Sequence, residues 1–586
     1  MSAFIKKITR SLPRFNHPVV FSVVPFLIIL LLTIFIFRHA FAQPGMFPTH
    51  DGEFHIIRSL HFFSELRRGQ FPVRMVPELA FQYGYPVFHF FYPLPYYVTA
   101  VFQLVGLSAA DGWRCSLVLI TFLSLWVFYK WLKTSFTHFA SLVGTVLFAL
   151  VPYRFLTLYV TGQIGGYYSL LFVPMIGLGL HHLLQDKKTS KNKNTLNQTS
   201  RSQVLGGMMV AIGVAGMILS HLLSVIIFFI PLTSYAVYLL SSSFSKEKLG
   251  KLMLWLGLGV TSASFYLLPF LWEKSWVRLG RVILINHRDH WPSFRQLVYS
   301  PWGYGYSQVG IEDGMSFQVG LAVLVVWLLT FILLIFQQVQ KRKKKQDNQA
   351  ILFLVITAVL FFLMLEFSAV IWQVFSPLQY LQYPWRVLAS TSVCGAWLAG
   401  WLVNQFSNKK QLILGVFLVL LALINVRNYA RPWPLSWKTD LDLINSSAFS
   451  GSTDISWELM PAEVNIEPHQ LSKTVTADNL NAVISQVERP TKGKTRLQTQ
   501  VVTDEPTLLT LPIWNFPVWQ VRVNERIVDK QTNQEGAIQV RVPSGTSIVK
   551  VDLVRTKLQK LADTISFFSI GLLLFAVLRL LKLKLR

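Results

Sequence analysis

Residues 19–55 run VVFSVVPFLIILLLTIFIFRHAFAQPGMFPTHDGEFH, an apolar stretch that ends in a cluster of ionisable groups. The apolar part is long enough to cross a bilayer as a helix, so it predicts a first membrane span. The string THDGEFH at 49–55 lies at the mouth of that span. Ionisable groups are costly beside a membrane and usually have a function there, so the string predicts a site.

Asp51, Glu53 and His55 are the candidate catalytic residues of this string. Asp51 and His55 are four residues apart, so they share one face of a helix that starts near Thr49. A carboxylate beside an imidazole can bind a metal, accept a proton or contact a phosphate. The residues alone leave these three roles open.

The composition of the whole chain is that of a polytopic membrane protein. Of its 586 residues 52% are hydrophobic and only 14% are charged, and the mean hydropathy is +0.45. These values exclude an ordinary soluble domain. Apolar stretches predict about 12 spanning helices, at 19–37, 114–132, 139–152, 166–184, 204–219, 223–240, 252–271, 318–336, 350–367, 387–403, 411–427 and 564–581.

The net charge of +26 is distributed as a membrane topology signal. Basic runs fall in alternate connections, on the same side as the N-terminus, as the positive-inside rule requires. We therefore expect a multi-pass protein of the cytoplasmic (inner) membrane with both termini cytoplasmic, and no nucleic-acid partner. The basic runs are at 187–193, 246–251, 341–345, 409–410 and 582–586, and the external segments are then 39–112, 153–165, 272–317, 368–386 and 428–563.

The last external segment differs from the rest of the chain, because alternating strands replace continuous apolar runs. TLLTLPIWNFPVWQVRVNERIV at 507–528 and AIQVRVPSGTSIVKVDLV at 537–554 have the period of two that is typical of strands. They predict an extracytoplasmic antiparallel β-sandwich before the last helix. The expected division is a transmembrane domain at 1–427, a β-rich domain at 428–562, and a final helix with a basic tail at 563–586.

Cationic and aromatic side chains follow the THDGEFH string. Residues 56–74 predict a basic amphipathic helix along the headgroup plane, in which Arg58 binds a lipid phosphate or merely anchors the helix. His221 is either a satisfied buried histidine or a functional one, and Arg386 beside Trp385 is either an interface anchor or a phosphate ligand. The tryptophans, tyrosines and arginines of the loop at 272–317 either bind a sugar or its phosphate or simply rest on the membrane. The loop also carries four acids that are candidates for a second carboxylate: Glu273, Asp289, Glu312 and Asp313.

The order of these pieces resembles the GT-C superfamily of membrane glycosyltransferases. The sequence features that match are Asp51, the basic helix Arg58–Arg68, PLPYY at 93–97, Gly106 and Arg114. Over most of the chain, PYRFLTLYVTGQ at 152–163, SHLLS at 220–224, QYPWR at 382–386 and the tryptophan-containing β-rich segment are similar to an uncharacterised bacterial membrane family labelled 6-pyruvoyl-tetrahydropterin synthase-related.

The GT-C resemblance implies a GT-C-like fold and an enzyme that moves a sugar from a polyprenyl-phosphate-linked donor to an extracytoplasmic acceptor, an envelope polymer or a protein. It implies that Asp51 is a base or a metal ligand, with Glu53 and His55 as neighbours. In the second case Asp51 and His55 are the candidate ligands of a divalent Mg²⁺ or Mn²⁺. The positive charge for the departing phosphate would come from Arg386 or Arg154. The chain has TGQIGGY at 161–167, without the acid that many relatives carry there.

Two other classes of function are open at this stage. A flippase or transporter of a lipid-linked glycan predicts charged residues inside the spans, and the predicted spans are nearly free of them. A non-catalytic protein that binds envelope glycan predicts an exposed aromatic face around Trp514 and Trp519.

Overall fold

The computed structural model describes residues 20–185, 193–279, 285–310, 312–342, 345–452, 457–464 and 471–585. Parts of the predicted basic runs lie outside these ranges, namely the residues at 187–191 and 343–344 and Arg586. The described chain forms a helical bundle and a β-sandwich, with one long helix after the sandwich.

The helices of the first half are α1 (Val20–Phe37), α2 (Gly52–Arg67), α3 (Val87–Phe90), α4 (Leu94–Leu104), α5 (Ala109–Lys133), α6 (His138–Ala149), α7 (Pro152–Phe155), α8 (Ile164–Leu184), α9 (Lys193–Ser220), α10 (Leu222–Ser241), α11 (Lys246–Ser262) and α12 (Ser264–Trp272). Those of the second half are α13 (Phe294–Val298), α14 (Leu321–Val339), α15 (Lys345–Leu363), α16 (Ala369–Val374), α17 (Leu388–Asn404), α18 (Asn408–Val426), α19 (Asp440–Ile444) and α20 (Lys557–Leu585). A π-helical turn, Leu156–Thr161, continues α7, and 3₁₀ turns include Ser376–Leu381 and Pro384–Val387.

The predicted polytopic helical fold is confirmed. Nine helices in the described residues are long and apolar enough to cross a membrane, and eleven if each of two bent pairs is one span. One bent pair, α6 with residues 152–161, turns by 45°, and the other, α11 with α12, turns by 73°. The apolar part of α1, Val23–Phe37, is shorter and corresponds to the first predicted span. The protein is therefore a multi-pass membrane protein.

Two helices form the centre of the bundle. Along α8 and α17 nearly every residue is buried, whereas only 22% of the apolar stretch of each of α14, α18 and α20 is buried. Small residues permit the close central packing: a Cβ on Gly144 of α6 would lie 2.9 Å from the Ala396 carbonyl oxygen of α17. Both central helices begin on the side of the bundle that carries the β-sandwich, and this placement brings the segments before them together.

The β-rich segment is a two-sheet antiparallel sandwich, as predicted. One sheet has the order β1-β4-β8-β7 and the other β2-β3-β9-β5-β6. Their apolar inner faces belong to one hydrophobic cluster, as expected for packed sheets. The strands are β1 (Thr476–Ala477), β2 (Val483–Glu488), β3 (Thr495–Thr503), β4 (Thr507–Trp514), β5 (Trp519–Val523), β6 (Arg526–Ile527), β7 (Gln531–Thr532), β8 (Ala537–Val542) and β9 (Gly545–Leu553).

The sandwich shares its core with the loop after α2. Tyr83 and Tyr85 belong to the same cluster as Trp514 and Trp519, and the Trp514 backbone N–H donates to the Tyr83 carbonyl oxygen at 2.9 Å. Trp514 is 0% and Trp519 2% exposed. The expected exposed aromatic face around these tryptophans is therefore wrong, because both rings fill the junction between sandwich and loop.

The five segments predicted to be external meet on one side of the bundle, here called the sandwich side. Met46 forms a β-bridge with Lys438, and Val277 forms one with Pro461. The His290 ring lies 4.8 Å from that of Tyr383, and the segment around His50 bonds to that around Val160. The predicted grouping of these segments is thus seen directly in their contacts.

Candidate active site

Asp51 is the N-cap residue of α2. An aspartate at this position usually caps the helix with its carboxylate, but the Asp51 carboxylate does not. The N-cap side chain makes no capping hydrogen bond; instead Thr49 Oγ1 accepts from the Gly52 N–H at 3.0 Å. The Asp51 N–H donates to the Thr161 carbonyl oxygen at 3.1 Å. Within the described residues the carboxylate has no hydrogen-bond partner, so it is available to a ligand.

A glycine-rich turn at 161–166 holds the Thr49–Asp51 segment in place. Gly162 has φ +68°, and a Cβ on it would lie 2.2 Å from Thr49 Oγ1. A Cβ on Gly165 would lie 2.2 Å from the Ser220 carbonyl oxygen and 2.6 Å from the Tyr92 ring. Such approaches are open only to glycine. The TGQIGGY string therefore supplies close packing at the site.

The charges around Asp51 are cationic. Burial raises the pKa of the Asp51 carboxyl above its ordinary value, and His50, Arg386 and Arg58 act in the opposite direction. The four carboxylates of the 272–317 loop are not among the groups that act on it. Glu273 Oε2 lies 2.9 Å from His89 Nε2, so the loop that was expected to supply a second acid does not bring that residue to Asp51.

Arg386 is held rigidly beside the site. Its Nη1 donates to the Leu381 carbonyl oxygen at 2.8 Å and to Gln382 Oε1 at 3.1 Å. Gln382 has φ +63°, a strained conformation for a non-glycine residue that often marks a functional site. The buried Arg386 Nε has no partner among the described residues. The guanidinium is thus fixed on one edge and retains an unused donor.

Arg58, Tyr96 and His55 form a second buried group behind Asp51. His55 Nδ1 lies 2.8 Å from Tyr96 Oη, and the same hydroxyl is hydrogen-bonded by Arg58. The Arg58 guanidinium lies 4.1 Å from the centre of the Phe91 ring, a stacking that orients the cation. Burial lowers the pKa of His55 well below its ordinary value, and Arg58 lowers it further. His55 is therefore a neutral group that positions Tyr96.

Tyr92 joins this group to His221. Its ring stacks on Tyr96 with centres 6.4 Å apart and meets the His221 ring edge-on at 5.8 Å. His221 Nδ1 lies 2.7 Å from Ser224 Oγ, and Arg386 acts on the ring electrostatically. The structure thus brings together Asp51, Arg58, His221 and Arg386, all of which the sequence predicts as site residues.

Glu53, Arg154 and Trp385 occupy other places. Glu53 Oε2 pairs with Lys438 Nζ at 2.8 Å, and both side chains are more than 40% exposed. Arg154 is 0% exposed inside the bundle, where its Nε donates to the Phe148 carbonyl oxygen at 3.3 Å and its guanidinium lies near Tyr167. Trp385 is buried against Phe317 with ring centres 5.5 Å apart. Each of the three side chains therefore contacts a neighbouring segment of the fold: Glu53 the segment of Lys438, Arg154 the end of α6, and Trp385 the segment of Phe317.

Three further side chains belong to the site: Tyr92, Tyr96 and His50. His50 and Tyr96 lie in the predicted THDGEFH and PLPYY strings, but the sequence assigns no individual role to any of the three. The four-residue spacing of the two tyrosines is a signal that they face one side, but PLPYY is also an ordinary interface string. His50 Nε2 lies 3.0 Å from the Tyr304 carbonyl oxygen, and its ring stacks on Tyr306 at 4.0 Å. The loop that contains Tyr304 and Tyr306 therefore borders the site, a contact that no local pattern predicts.

The donor set does not fit the predicted Mg²⁺ or Mn²⁺ site. The described residues contain no group of three or more His, Cys, Asp or Glu side chains that could hold a metal ion. His55 Nδ1 contacts Tyr96, and the groups that act electrostatically on Asp51 are His50, Arg386 and Arg58. Divalent Mg²⁺ and Mn²⁺ need several oxygen ligands, so Asp51 and His55 alone do not form the predicted centre.

Comparison with known proteins gives structural neighbours only. No family model and no curated protein matches the chain. Among solved structures it is similar to the oligosaccharyltransferase of Archaeoglobus fulgidus in the apo form, with a TM-score of 0.39, 11% identity, and coverage of 70% of this chain and 55% of that one. The chain is also similar to the Archaeoglobus fulgidus oligosaccharyltransferase AglB in complex with an inhibitory peptide and a dolichol-phosphate, with a TM-score of 0.38, 13% identity, and coverage of 70% of this chain and 55% of that one. A third similar structure is ArnT from Cupriavidus metallidurans bound to undecaprenyl phosphate, with a TM-score of 0.33, 11% identity, and coverage of 67% of this chain and 62% of that one. The chain thus spans less than two thirds of the length of each of these structures.

Proposed function

We propose that the protein is a membrane glycosyltransferase that moves a sugar from a polyprenyl-phosphate-linked donor to a hydroxyl or amide acceptor on the sandwich side. The observation that carries this proposal is the isolated Asp51 carboxylate, which has no hydrogen-bond partner among the described residues and lies near Arg386 and Arg58. A base within the electrostatic reach of fixed cations suits transfer from a phosphate-linked sugar, because the base can take the proton of the acceptor while the cations stabilise the departing phosphate.

Asp51 acts as the general base in this mechanism. The acceptor attacks the anomeric carbon of the sugar while its proton passes to the carboxylate. A carboxyl with a raised pKa is a better proton acceptor than an ordinary aspartate, because the pKa is closer to the operating pH. The bond from the anomeric carbon to the acceptor forms on the face opposite the departing phosphate, so the configuration is inverted.

Arg386 and Arg58 stabilise the leaving group. As the bond between the anomeric carbon and the phosphate oxygen breaks, the electron pair remains on the oxygen, and negative charge develops there. Guanidinium groups match phosphate geometry and stabilise this charge most where water is excluded. Both arginines are at least nine-tenths buried and are held by neighbouring groups, so little reorganisation is needed when the charge appears.

The orientation that suits this function places the sandwich side outside the cytoplasm. The basic connections 246–251 and 409–410 follow α10 and α17, at the ends of these helices opposite the sandwich, and the positive-inside rule assigns that end to the cytoplasm. The protein would then be in a cytoplasmic (inner) membrane, and its acceptor would be an envelope polymer or a protein. Asp51 would meet donor lipids presented in the external leaflet.

A reconstituted system tests whether the protein breaks the glycosyl bond. Proteoliposomes with polyprenyl-phosphate-linked, radiolabelled hexose and envelope material from the source cells should yield free polyprenyl phosphate and labelled acceptor in equal amounts. A flippase would instead move the intact lipid across the bilayer and leave all of the label on it. That result, together with an absence of free polyprenyl phosphate, would contradict the proposal.

A further inference from the structure

A cavity of about 420 Å³ lies on the sandwich side, between the end of α2, the sandwich and the segment before α20. None of the residues of the Asp51 site lines it. Its charged lining residues are all basic, namely Arg68, Arg74, Lys494, Arg496 and Arg555. His89 also lines it, but burial lowers the pKa of this histidine and it contacts Glu273. No Asp or Glu is among the described residues that line it.

Carboxylates that do not themselves line the cavity pair with its arginines, and Asp552 pairs with Lys494 at 3.5 Å. Asp563 Oδ1 pairs with Arg74 Nη2 at 2.5 Å, and its Oδ2 pairs with Arg555 Nη1 at 3.1 Å. Glu65, which is fully buried, pairs with Arg496 at 2.8 Å, and Arg68 pairs with Glu65 and Glu78. Because ion pairs fix the guanidinium groups before a ligand arrives, an anion would bind with little ordering of side chains.

One buried donor in the wall remains unused. Arg496 is 4% exposed, and its Nη2 and Nη1 are bonded to Glu65 and to the Gly493 carbonyl oxygen. Its Nε has no partner among the described residues. A buried donor without a partner is costly, and Arg496 is one of the residues that line the cavity.

The cavity opens at the ends of membrane helices. Arg555 precedes the first residue of α20 by two positions, and Arg74 Nη2 donates to the Phe265 carbonyl oxygen of α12 at 2.7 Å. At the rim, the Phe71 side chain is 62% exposed, and on the nearby end of α12 Trp272 is 65% exposed. Exposed aromatic rings beside basic groups are typical of the headgroup region of a bilayer.

We propose that this cavity binds the phosphate of an anionic phospholipid headgroup from the leaflet on the sandwich side. Arginines bind phosphate oxygens with paired hydrogen bonds, and basic pockets between membrane helices recognise anionic headgroups. The bound lipid would contact residues at the end of α2, in α20 and in the sandwich and lie close to α12, and so would stabilise their packing. This binding is separate from the proposed glycosyl transfer and does not depend on it.

The test uses the full-length protein in a neutral detergent, titrated with phosphatidylglycerol, phosphatidylcholine or soluble glycerol 1-phosphate. Bound lipid is counted by native mass spectrometry, and the melting temperature is recorded. K494Q/R555Q removes two exposed cations of the lining, whereas K492Q/R526Q removes two exposed cations that do not line the cavity. The two variants have the same net charge.

We expect phosphatidylglycerol to raise the melting temperature of the wild type and of K492Q/R526Q saturably. K494Q/R555Q should bind this lipid about tenfold more weakly, since each cation near an anionic surface contributes severalfold to affinity. Phosphatidylcholine and glycerol 1-phosphate should bind far more weakly to all three proteins. Equal binding of phosphatidylglycerol to both variants would overturn the site, and glycerol 1-phosphate binding as tightly as the lipid would overturn the lipid assignment.

Discussion

The backbone N–H of Asp51 donates to the Thr161 carbonyl oxygen at 3.1 Å. This bond ties the start of α2 to the turn between the π-helical residues 156–161 and α8, so the place of the candidate base depends on two distant segments of the chain. Gly162 secures the contact because a side chain there would displace Thr49.

Gly162→Ala should damage activity more than stability. Its left-handed φ costs alanine about 1–2 kcal/mol, and the new Cβ would also collide with Thr49 Oγ1. A shift of the base by about 1 Å lowers a transfer rate by about 100-fold, which a steady-state assay of sugar transfer measures. Gly106→Ala is the control, since Gly106 has φ +95° and no atom within 4 Å of its Cβ position. Equal activity of the two variants would show that the turn does not position the base.

Arg386→Lys should weaken donor binding although it keeps the positive charge. An ammonium group lacks the planar fork of a guanidinium and bonds a phosphate less completely, so we expect kcat to fall and the KM for the polyprenyl-phosphate sugar to rise, with kcat/KM lower by at least about tenfold. Arg67→Lys, at an exposed position of α2, should leave kcat/KM unchanged. An unaltered kcat/KM in Arg386→Lys, with the protein still folded by its melting curve, would remove Arg386 from the phosphate site.

The sequence predicts the spans and the sandwich well because both depend on local periodicity. The 73° break between α11 and α12 is not predictable in this way, since the residues at the break, Ser262, Ala263 and Ser264, include neither proline nor glycine. The core shared by Tyr83 and Trp514 also depends on contacts between distant segments, so alternation along the strands reveals only that one face of each strand is buried.

For the site, helical geometry separates residues that are adjacent in the string. Asp51 and His55 are four apart and lie on one face, whereas Glu53 is two positions from each and points elsewhere. It meets Lys438, from the segment before the sandwich, at 2.8 Å. Arg154 and Arg386 look alike in sequence, each next to an aromatic residue at the start of an apolar stretch. Only the packing of the bundle shows that Arg154 faces Ser124 and Tyr167.

Glu65→Gln should destabilise the junction between α2 and the sandwich. Glu65 and Arg496 form a buried ion pair, and removing one partner of such a pair costs about 3–5 kcal/mol because the other charge stays buried. Thermal unfolding and limited proteolysis measure the loss. Glu488→Gln, at an exposed position of β2, should change stability by less than about 0.5 kcal/mol. Similar stability of the two variants would contradict a junction held by this pair.

The pH dependence of transfer should report the buried state of Asp51. The base must be ionised to accept a proton, and its pKa is raised by burial. On acidification, kcat/KM should therefore begin to fall at a higher pH than an ordinary aspartate would give. A pH profile of kcat/KM for the donor gives the apparent pKa of this acidic fall. An apparent pKa at or below that of a free aspartate would contradict the raised pKa of Asp51.

Asp51→Asn should separate catalysis from folding. A carboxyl whose pKa is raised in the folded state is destabilising when ionised, at pH values above that pKa. The amide removes this charge and keeps the shape, so at neutral pH the melting temperature of Asp51→Asn should equal or exceed that of the wild type. A clearly lower melting temperature would show that the carboxylate has a structural partner.

The rates of sugar transfer by Asp51→Asn and Glu53→Gln, measured side by side in proteoliposomes, test the central claim most directly. A general base contributes about 10²–10⁴-fold, so Asp51→Asn should lose activity by this factor. Glu53→Gln should keep most of it, since Glu53 is paired with Lys438 at the surface. Full activity in Asp51→Asn, or a loss confined to Glu53→Gln, would contradict the assignment of Asp51 as the base.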